Sequence, residues 1–438
     1  MPPPLALILC IGFVVFLLRL DHRQSPDVSS ALWIPMIWLV SVSSKSLAYW
    51  FGNTNTDIES GSPLDRAFQI ILLCIALRLL IRRGADWANA MKENFWLSAL
   101  IAFMLVSVLW SPIPFVSFKR WASEFLAVVF GLLISTEKDP LKAIQCVLRR
   151  TIYILIPFSW LLIKYFSQHG VEYHPSSGAK TWIGVAEQKN GLGILASFAS
   201  FFLVWDLLKR WKHADIRKPR YHALVNVFIL MLSLWLLKGP GTYSMTSIIM
   251  LAAGLLFYAG LMAWKKHPKR PGVKTLSAIM ALVIIYGTAA PLVGKLPGGD
   301  YASSLGRDST LTGRSEIWAY LVPLAMKKPV LGHGFGGFWT KAIRESYLYR
   351  SAHNGYLEVL LVLGFVGLLL VSLFILSSCQ KAQKELEFEY DWGVLWICWL
   401  IMALFNNIAE SSLHFFSNLL MAVPIWLAIT FKKEKRTA

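Results

Sequence analysis

The feature that most constrains this chain is the recurrence of apolar runs about as long as a bilayer is thick. A helix needs roughly 20 apolar residues to cross about 30 Å of hydrocarbon. Runs of that kind fall near 5–20, 31–51, 66–81, 95–111, 121–135, 150–166, 190–208, 222–238, 246–264, 275–294, 354–378, 392–408 and 412–431. Inside hydrocarbon each backbone N–H and C=O needs a partner within the segment, so runs this long are helices. The expected fold is all-α, a polytopic transmembrane helical bundle of about 12–13 spans. Composition agrees, because 56% hydrophobic residues and a mean hydropathy of +0.53 are too apolar for a soluble domain.

The formal net charge of +18 would suit a nucleic-acid partner, but its placement argues otherwise. Lysine and arginine gather in KRWKHADIRKPR (209–220), KKHPKRPGVK (265–274) and the tail FKKEKRTA, all beside apolar runs. Such loops face the cytoplasm under the positive-inside rule, so the expected partner is the lipid bilayer and not nucleic acid. Counting spans from these loops puts Gly52 to Asp65, His169 to Lys189, the KGPGTYS turn and Lys295 to Ala352 on the outer side. The run from Leu5 to Leu20 lacks an early basic region and a small-residue cleavage site, and reads as a retained span. Cys10, Cys74, Cys146, Cys379 and Cys398 lie in or beside apolar runs without a CxxC pair, so they read as packing residues. No metal and no cofactor are expected.

One polar interruption stands out, and it organises the chain. Residues 1–438 read as a single integral membrane domain, with 295–352 as a long structured loop on the outer side and 354–378 as the span that follows. The loop holds Lys295, Arg307, Arg314, Lys327, Lys328, Lys341, Arg344 and Arg350 against Asp300, Asp308, Glu316 and Glu345. A basic excess on the outer side runs against the topological tendency and points to an anionic ligand, with Lys327, Lys328 and Arg350 reading as surface charges.

Three motifs lie in and just after that loop. In LTGRSEIWAYLVPLAMKK (311–328), Thr312 is the expected N-cap, and Ile317, Trp318, Leu321, Leu324 and Ala325 form an apolar helical stripe. Arg314 then falls in the first turn, where the helix dipole disfavours a cation unless the arginine and the free N–H groups hold a phosphate. The alternative is a solvent-facing arginine. Arg307, beside Asp308, either joins that site or forms a simple ion pair. In PVLGHGFGGFW (329–339), Gly332, Gly334 and Gly337 fit GxGxxG, but no strand precedes them and no Lys-Ser/Thr follows. A tight loop on the membrane surface is expected instead, with Phe335, Phe338 and Trp339 as interfacial anchors. The third motif, AHNGYLEVLLVLGFVG (352–367), reads as a helix opening at His353. On a continuous helix Gly364 and Gly367 return to within about 40° of the histidine's face, Tyr356 and Leu360 complete that stripe, and Glu358 points elsewhere. That small-residue pair would admit a neighbouring helix beneath His353. The imidazole is a candidate general base or phosphate donor, and a structural cap is the alternative.

Two weaker candidates lie elsewhere. Lys189 and Asn190 stand at the mouth of a span in WIGVAEQKNGLG (182–193), and Glu410 and His414 occupy a short turn in FNNIAESSLHFF (405–416). Polar groups at such depths are functional candidates, with snorkelling and turn-making as alternatives.

These residues give the chain a resemblance to the O-antigen ligase and polymerase superfamily, above all its exopolysaccharide-production, succinoglycan-polymerase-like branch. Gly306-Arg307-Asp308, then Thr310-Leu311-Thr312-Gly313-Arg314 and Trp318, match that branch's signature, and His353-Asn354 with Gly364 and Gly367 match the ligases' pattern. The resemblance implies inverting transfer from a polyprenyl diphosphate-linked oligosaccharide donor to a glycan acceptor at the outer face of the bacterial inner membrane, without metal or nucleotide sugar. It implies that Arg314 contacts the diphosphate and that His353 either deprotonates the acceptor hydroxyl or binds phosphate. Relatives often carry arginine or histidine where this chain has Ile183 and Gln188, which leaves Lys189 or Arg307 as the second donor-binding cation. Polymerisation of surface-polysaccharide repeat units is the leading expectation, ligation to a lipid core or other acceptor the alternative, and transport of a lipid-linked oligosaccharide a more distant one.

Overall fold

A computed structural model of the chain describes residues 1–52, 61–173, 178–212, 221–240, 243–265, 272–293, 314–346 and 351–431. The described residues are overwhelmingly helical. The β structure among them is one short antiparallel ribbon, Val171–Tyr173 with Lys180–Trp182, registered with Val171 opposite Trp182. The helices in chain order begin with α1 (Pro3–Gln24), α2 (Trp33–Val42), α3 (Leu47–Trp50), α4 (Pro63–Arg82), α5 (Trp87–Glu93) and α6 (Phe95–Val106). Next come α7 (Pro114–Ser135), α8 (Pro140–Tyr165), α9 (Ser167–Gly170), α10 (Lys189–Lys212), α11 (Tyr221–Lys238) and α12 (Met245–Trp264). The last are α13 (Val273–Val293), α14 (Arg314–Ala325), α15 (Lys341–Ser346), α16 (Gly355–Phe388), α17 (Tyr390–Asn406) and α18 (Leu419–Thr430).

Each expected span meets a helix, but they are not alike. Seven of the described helices (α1, α8, α10, α11, α12, α13 and α16) are individually long and apolar enough to cross a membrane, and the pair α5 and α6, bent by 102°, would make an eighth. The other runs give helices that are shorter or more polar. The expected span 31–51 is interrupted between α2 and α3 by the polar Ser43, Ser44 and Ser46, whose side chains offer the backbone alternatives to the helix. The expected span 412–431 begins late, because Ser412 to Ser417 form turns and Asn418 caps α18 by accepting from Leu420 and Met421 N–H.

The chain forms two compact units. In the first (Met1–Asn55, Pro63–Ala85, Val129–Gly260), α8 is buried along nearly its whole length and packs against α1, α2 and α11, while α10 packs on α11. In the second (Thr56–Ser62, Asp86–Val128, Leu261–Ala438), α16 is the hub, contacting α6, α13, α14 and α17. Gly287 of α13 lets the Tyr356 ring come so close that a Cβ there would lie 2.1 Å from it.

The hub helix is broken at Gly364, with φ 66° and ψ −166°. That corrects the expectation of one continuous stripe linking His353, Gly364 and Gly367, because helical phase does not carry across a non-helical residue. The break frees backbone groups that hydrocarbon cannot satisfy, and the segment after α14 satisfies them. Phe365 N–H donates to Pro329 O at 2.8 Å, Val366 N–H to Val330 O at 3.2 Å, and Leu361 O accepts His333 N–H at 3.0 Å. A Cβ on Gly364 would sit 2.3 Å from Val330 O, so the glycine admits this loop and not a neighbouring helix. From Gly332 to Trp339 the loop is largely buried, although Val330 and Leu331 before it are exposed. Phe335, Phe338 and Trp339, expected at the membrane surface, are 1%, 2% and 7% exposed, because the loop inserts beside the broken helix.

Candidate functional site

The outer end of α16 is fixed by a polar network around one turn of chain. Asn354 is its N-cap, accepting Leu357 N–H at 2.8 Å, and its amide donates to Gly287 O at 3.0 Å and Ile408 O at 3.1 Å. Ser411 Oγ accepts the Asn354 N–H at 3.2 Å. One residue before His353, Ala352 is held from both sides. Its N–H donates to Glu358 Oε2 at 2.8 Å and its carbonyl accepts Trp318 Nε1–H at 3.0 Å. Trp318 lies on the buried face of α14 with Ile317, Leu321 and Ala325, the stripe the spacing predicts, although Leu324 is only half-buried. Glu358 also accepts from Trp339 Nε1 and from the Ser411 hydroxyl, tying the glycine loop to the turn after α17.

His353 therefore precedes the helix instead of opening it, and its φ of 47° is the one positive value among the described non-glycine residues. Strain of this kind persists only where the surroundings over-determine it, and here both neighbours are pinned. These hydrogen bonds, not a glycine ladder, set the depth and direction of the imidazole. Its side chain is 27% exposed, with Nδ1 3.7 Å from Glu410 Oε2. Glu410 Oε1 in turn accepts from Arg314 Nη2 at 3.1 Å. Arg314, His353 and Glu410 thus converge from α14, the start of α16 and the turn after α17, with Arg314 15% and Glu410 9% exposed.

The turn carrying Glu410 is anchored at both ends. Gly355 N–H donates to Asn407 O at 2.8 Å, and Glu124 of α7 accepts Phe416 N–H, Ser417 N–H and the Ser417 hydroxyl at 2.6, 2.7 and 2.8 Å. Between them His414 lies buried against Phe335 and Phe415, and that burial pushes its imidazole down to about 3. His333 is also held below the ordinary histidine range by burial, while it donates from Nδ1 to Leu361 O at 3.0 Å.

Lys189 and Asn190 open α10 in the first unit, Lys189 exposed and Asn190 half-buried. Arg307, Thr312 and Arg350 lie outside the described residues. Gly364 and Gly367 sit below, at the break in α16. Sequence reasoning gave no site role to Glu358, Trp339, Ser411 or Glu124. A signal existed for Glu358, an acid within the first turn of an apolar span, where an ionisable group is a functional candidate by default.

Residues 227–372 match the family model described as O-Antigen ligase. That match includes Arg314, Trp318, His353, Asn354, Gly364 and Gly367, and stops short of Glu410. Over 319 residues the chain is 24% identical to the exopolysaccharide production protein ExoQ of Rhizobium meliloti (strain 1021). The alignment covers 67% of this chain and 66% of that relative, just under two thirds of its length. These matches bear out the resemblance that the motifs carry, to the O-antigen ligase and polymerase superfamily and its exopolysaccharide-production branch, and the long apolar helices agree with a multi-pass membrane protein.

Proposed function

We propose that the protein polymerises surface or exopolysaccharide repeat units by inverting glycosyl transfer from a polyprenyl diphosphate-linked glycan at the outer face of the bacterial inner membrane. The observation that carries this reading is the convergence of Arg314, Glu410 and His353 at the mouth of α16. A guanidinium suits bidentate binding of phosphate oxygens, and an imidazole held at one orientation suits removal of a hydroxyl proton. The acceptor oxygen attacks the sugar C1, its proton passes to His353 Nε2, and the C1–O bond breaks with its electron pair leaving on the diphosphate. Charge grows on the leaving group as that bond lengthens, and a fixed, partly desolvated Arg314 stabilises it. Arg307 is the proposed second cation, with Lys189 as its weaker substitute. Neither a metal nor a nucleotide sugar has a part in this scheme. Asn354 and Trp318 act by holding the turn that carries His353.

A second reading, ligation of a finished glycan to a lipid core or other acceptor, has specific support in the O-Antigen ligase match over 227–372. Incubation of the purified protein with the lipid-linked donor alone separates the two. A ladder of glycan lengths is expected; product only after a core acceptor is added would replace the polymerase by the ligase. In the same assay His353→Ala and Arg314→Ala are expected to lower turnover at least about 100-fold while the protein stays folded, since a general base contributes about 10²–10⁴ in rate. Full turnover in either variant overturns the site.

A further inference from the structure

We infer that Glu410 is a positioning residue exchanged between two clients: it pairs with Arg314 in the free protein and turns to His353 when a diphosphate occupies the arginine. The inference rests on the reading above and adds to it the order in which the site is assembled. One carboxylate faces both groups, and it serves them unequally. Glu410 Oε1 accepts from Arg314 Nη2 at 3.1 Å, whereas Oε2 stands 3.7 Å from His353 Nδ1, beyond hydrogen-bond range. His353 Nδ1 is buried and has no hydrogen-bond partner among the described residues. A buried polar nitrogen without a partner, so near a carboxylate, marks an arrangement one step from completion.

The backbone leaves only the side chain to make that step. Glu410 N–H donates to Asn406 O at 2.9 Å, and Asn354 bonds both Ile408 O and Ser411 Oγ, so the main chain of His353 and that of Glu410 are clipped together. Rotation of the carboxylate by about an ångström would close the gap to a normal hydrogen bond. Among the described residues, the charged groups that reach His353 are Glu410 and Glu358, with Arg314 on the other oxygen of Glu410. Glu358 is committed already, to Ala352 N–H, Trp339 Nε1–H and the Ser411 hydroxyl. An incoming diphosphate competes for the guanidinium and repels a carboxylate left beside it. Glu410 then accepts from His353 Nδ1–H, which fixes the tautomer with Nε2 free and raises its basicity. The base is therefore armed by the donor, and an empty site does not deprotonate water or stray hydroxyls.

The test is the pH dependence of kcat and of kcat/KM for the full-length protein in detergent, with a lipid diphosphate-linked repeat unit as substrate. The acid limb of kcat/KM reports the free enzyme and that of kcat the loaded one. Glu410→Gln is expected to lower kcat about tenfold or more and to move the acid limb of kcat about one unit lower, while the kcat/KM limb moves less than half as far. Glu410→Asp, which keeps the charge beside Arg314 but withdraws its reach to His353, is expected to shift the kcat limb the same way; it also serves if the glutamine variant does not fold. Limbs that stay put or move together, or an unchanged kcat, overturn the exchange. His353→Ala runs in parallel: an active variant discards the underlying assignment of the base, whereas an inactive one with unmoved Glu410→Gln limbs discards only the exchange.

Discussion

Two buried sets of charges, one in each compact unit, show what a finished ionic cluster looks like and what an unfinished one does. In the first unit, Asp21 accepts from Arg149 Nε and Arg150 Nε, each at 2.6 Å, and Asp206 accepts from Arg149 at 3.4 Å, Arg210 at 2.8 Å and Asn226 at 2.8 Å. Asp21 and Asp206 are both fully buried, Arg149 is 2% exposed, and Gln145 donates a further bond to Asp206. Every carboxylate oxygen there is taken. In the second unit, Arg314, Glu410 and His353 are more exposed, one distance is too long to be a bond, and His353 Nδ1 has no hydrogen-bond partner among the described residues. Desolvating charges costs more than a single pair returns, so a cluster is tolerated at depth only when complete. On the proposed function, His353 is the member of this cluster that a bound donor completes.

The sharpest way to break that comparison is to remove one charge from each side. Asp21→Asn leaves two buried guanidiniums short of a partner, which is expected to cost about 3–5 kcal/mol. The expected outcome is a large fall in the thermal unfolding midpoint in detergent, with turnover per folded molecule unchanged. Glu410→Gln should do the reverse, barely moving the midpoint while lowering kcat. A stable Asp21→Asn protein that no longer transfers sugar would make the closed network functional and end the contrast.

How much of this was legible in the sequence follows from the physics each residue reports. Apolar run length announces a helix locally, so nearly every helix was placed, as was the buried face of α14 through Ile317, Trp318, Leu321 and Ala325. Convergence is not local. Arg314, His353 and Glu410 are far apart along the chain, and no period links them; their motifs could single them out but not bring them together. The glycines were misread for a different reason. Periodicity presumes an unbroken helix, and Gly364 is the residue that breaks it, a conformation visible only once residues 329–333 are seen lying against it. Burial of Phe335, Phe338 and Trp339 was hidden likewise, since an aromatic beside a membrane span suits an interface and a core equally well.

A smaller effect tests whether the open cluster depends on the broken helix beneath it. Gly364→Ala would place a β-carbon 2.3 Å from Val330 O at a φ of 66° and ψ of −166° that only glycine adopts readily. The strain alone is expected to cost about 1–3 kcal/mol, and relief of the contact displaces the loop that ends in Trp339, a donor to Glu358. Transfer should fall together with the unfolding midpoint. Loss of stability with undiminished turnover would show that His353 is held by the Asn354 and Ala352 contacts without help from the loop.

The mildest test compares two histidines whose Nδ1 atoms are both buried without a hydrogen-bond partner among the described residues, His353 and His414. Their surroundings differ: Glu410 stands beside His353, while His414 is packed between Phe335 and Phe415 and its imidazole is pushed down to about 3 by burial. A histidine whose folded pKa lies below its unfolded value of about 6.5 gives stability that is fully present above that value and lost as pH falls toward the folded one. At pH 5 the loss amounts to about 2 kcal/mol. The unfolding midpoint should therefore drop between pH 7 and pH 5, and His414→Phe, which offers no proton site to the unfolded chain, should remove part of that slope. An unchanged slope would mean that His414 takes up its proton without unfolding, so that a second imidazole near the site is open to solvent and the contrast between one poised and one sealed histidine fails.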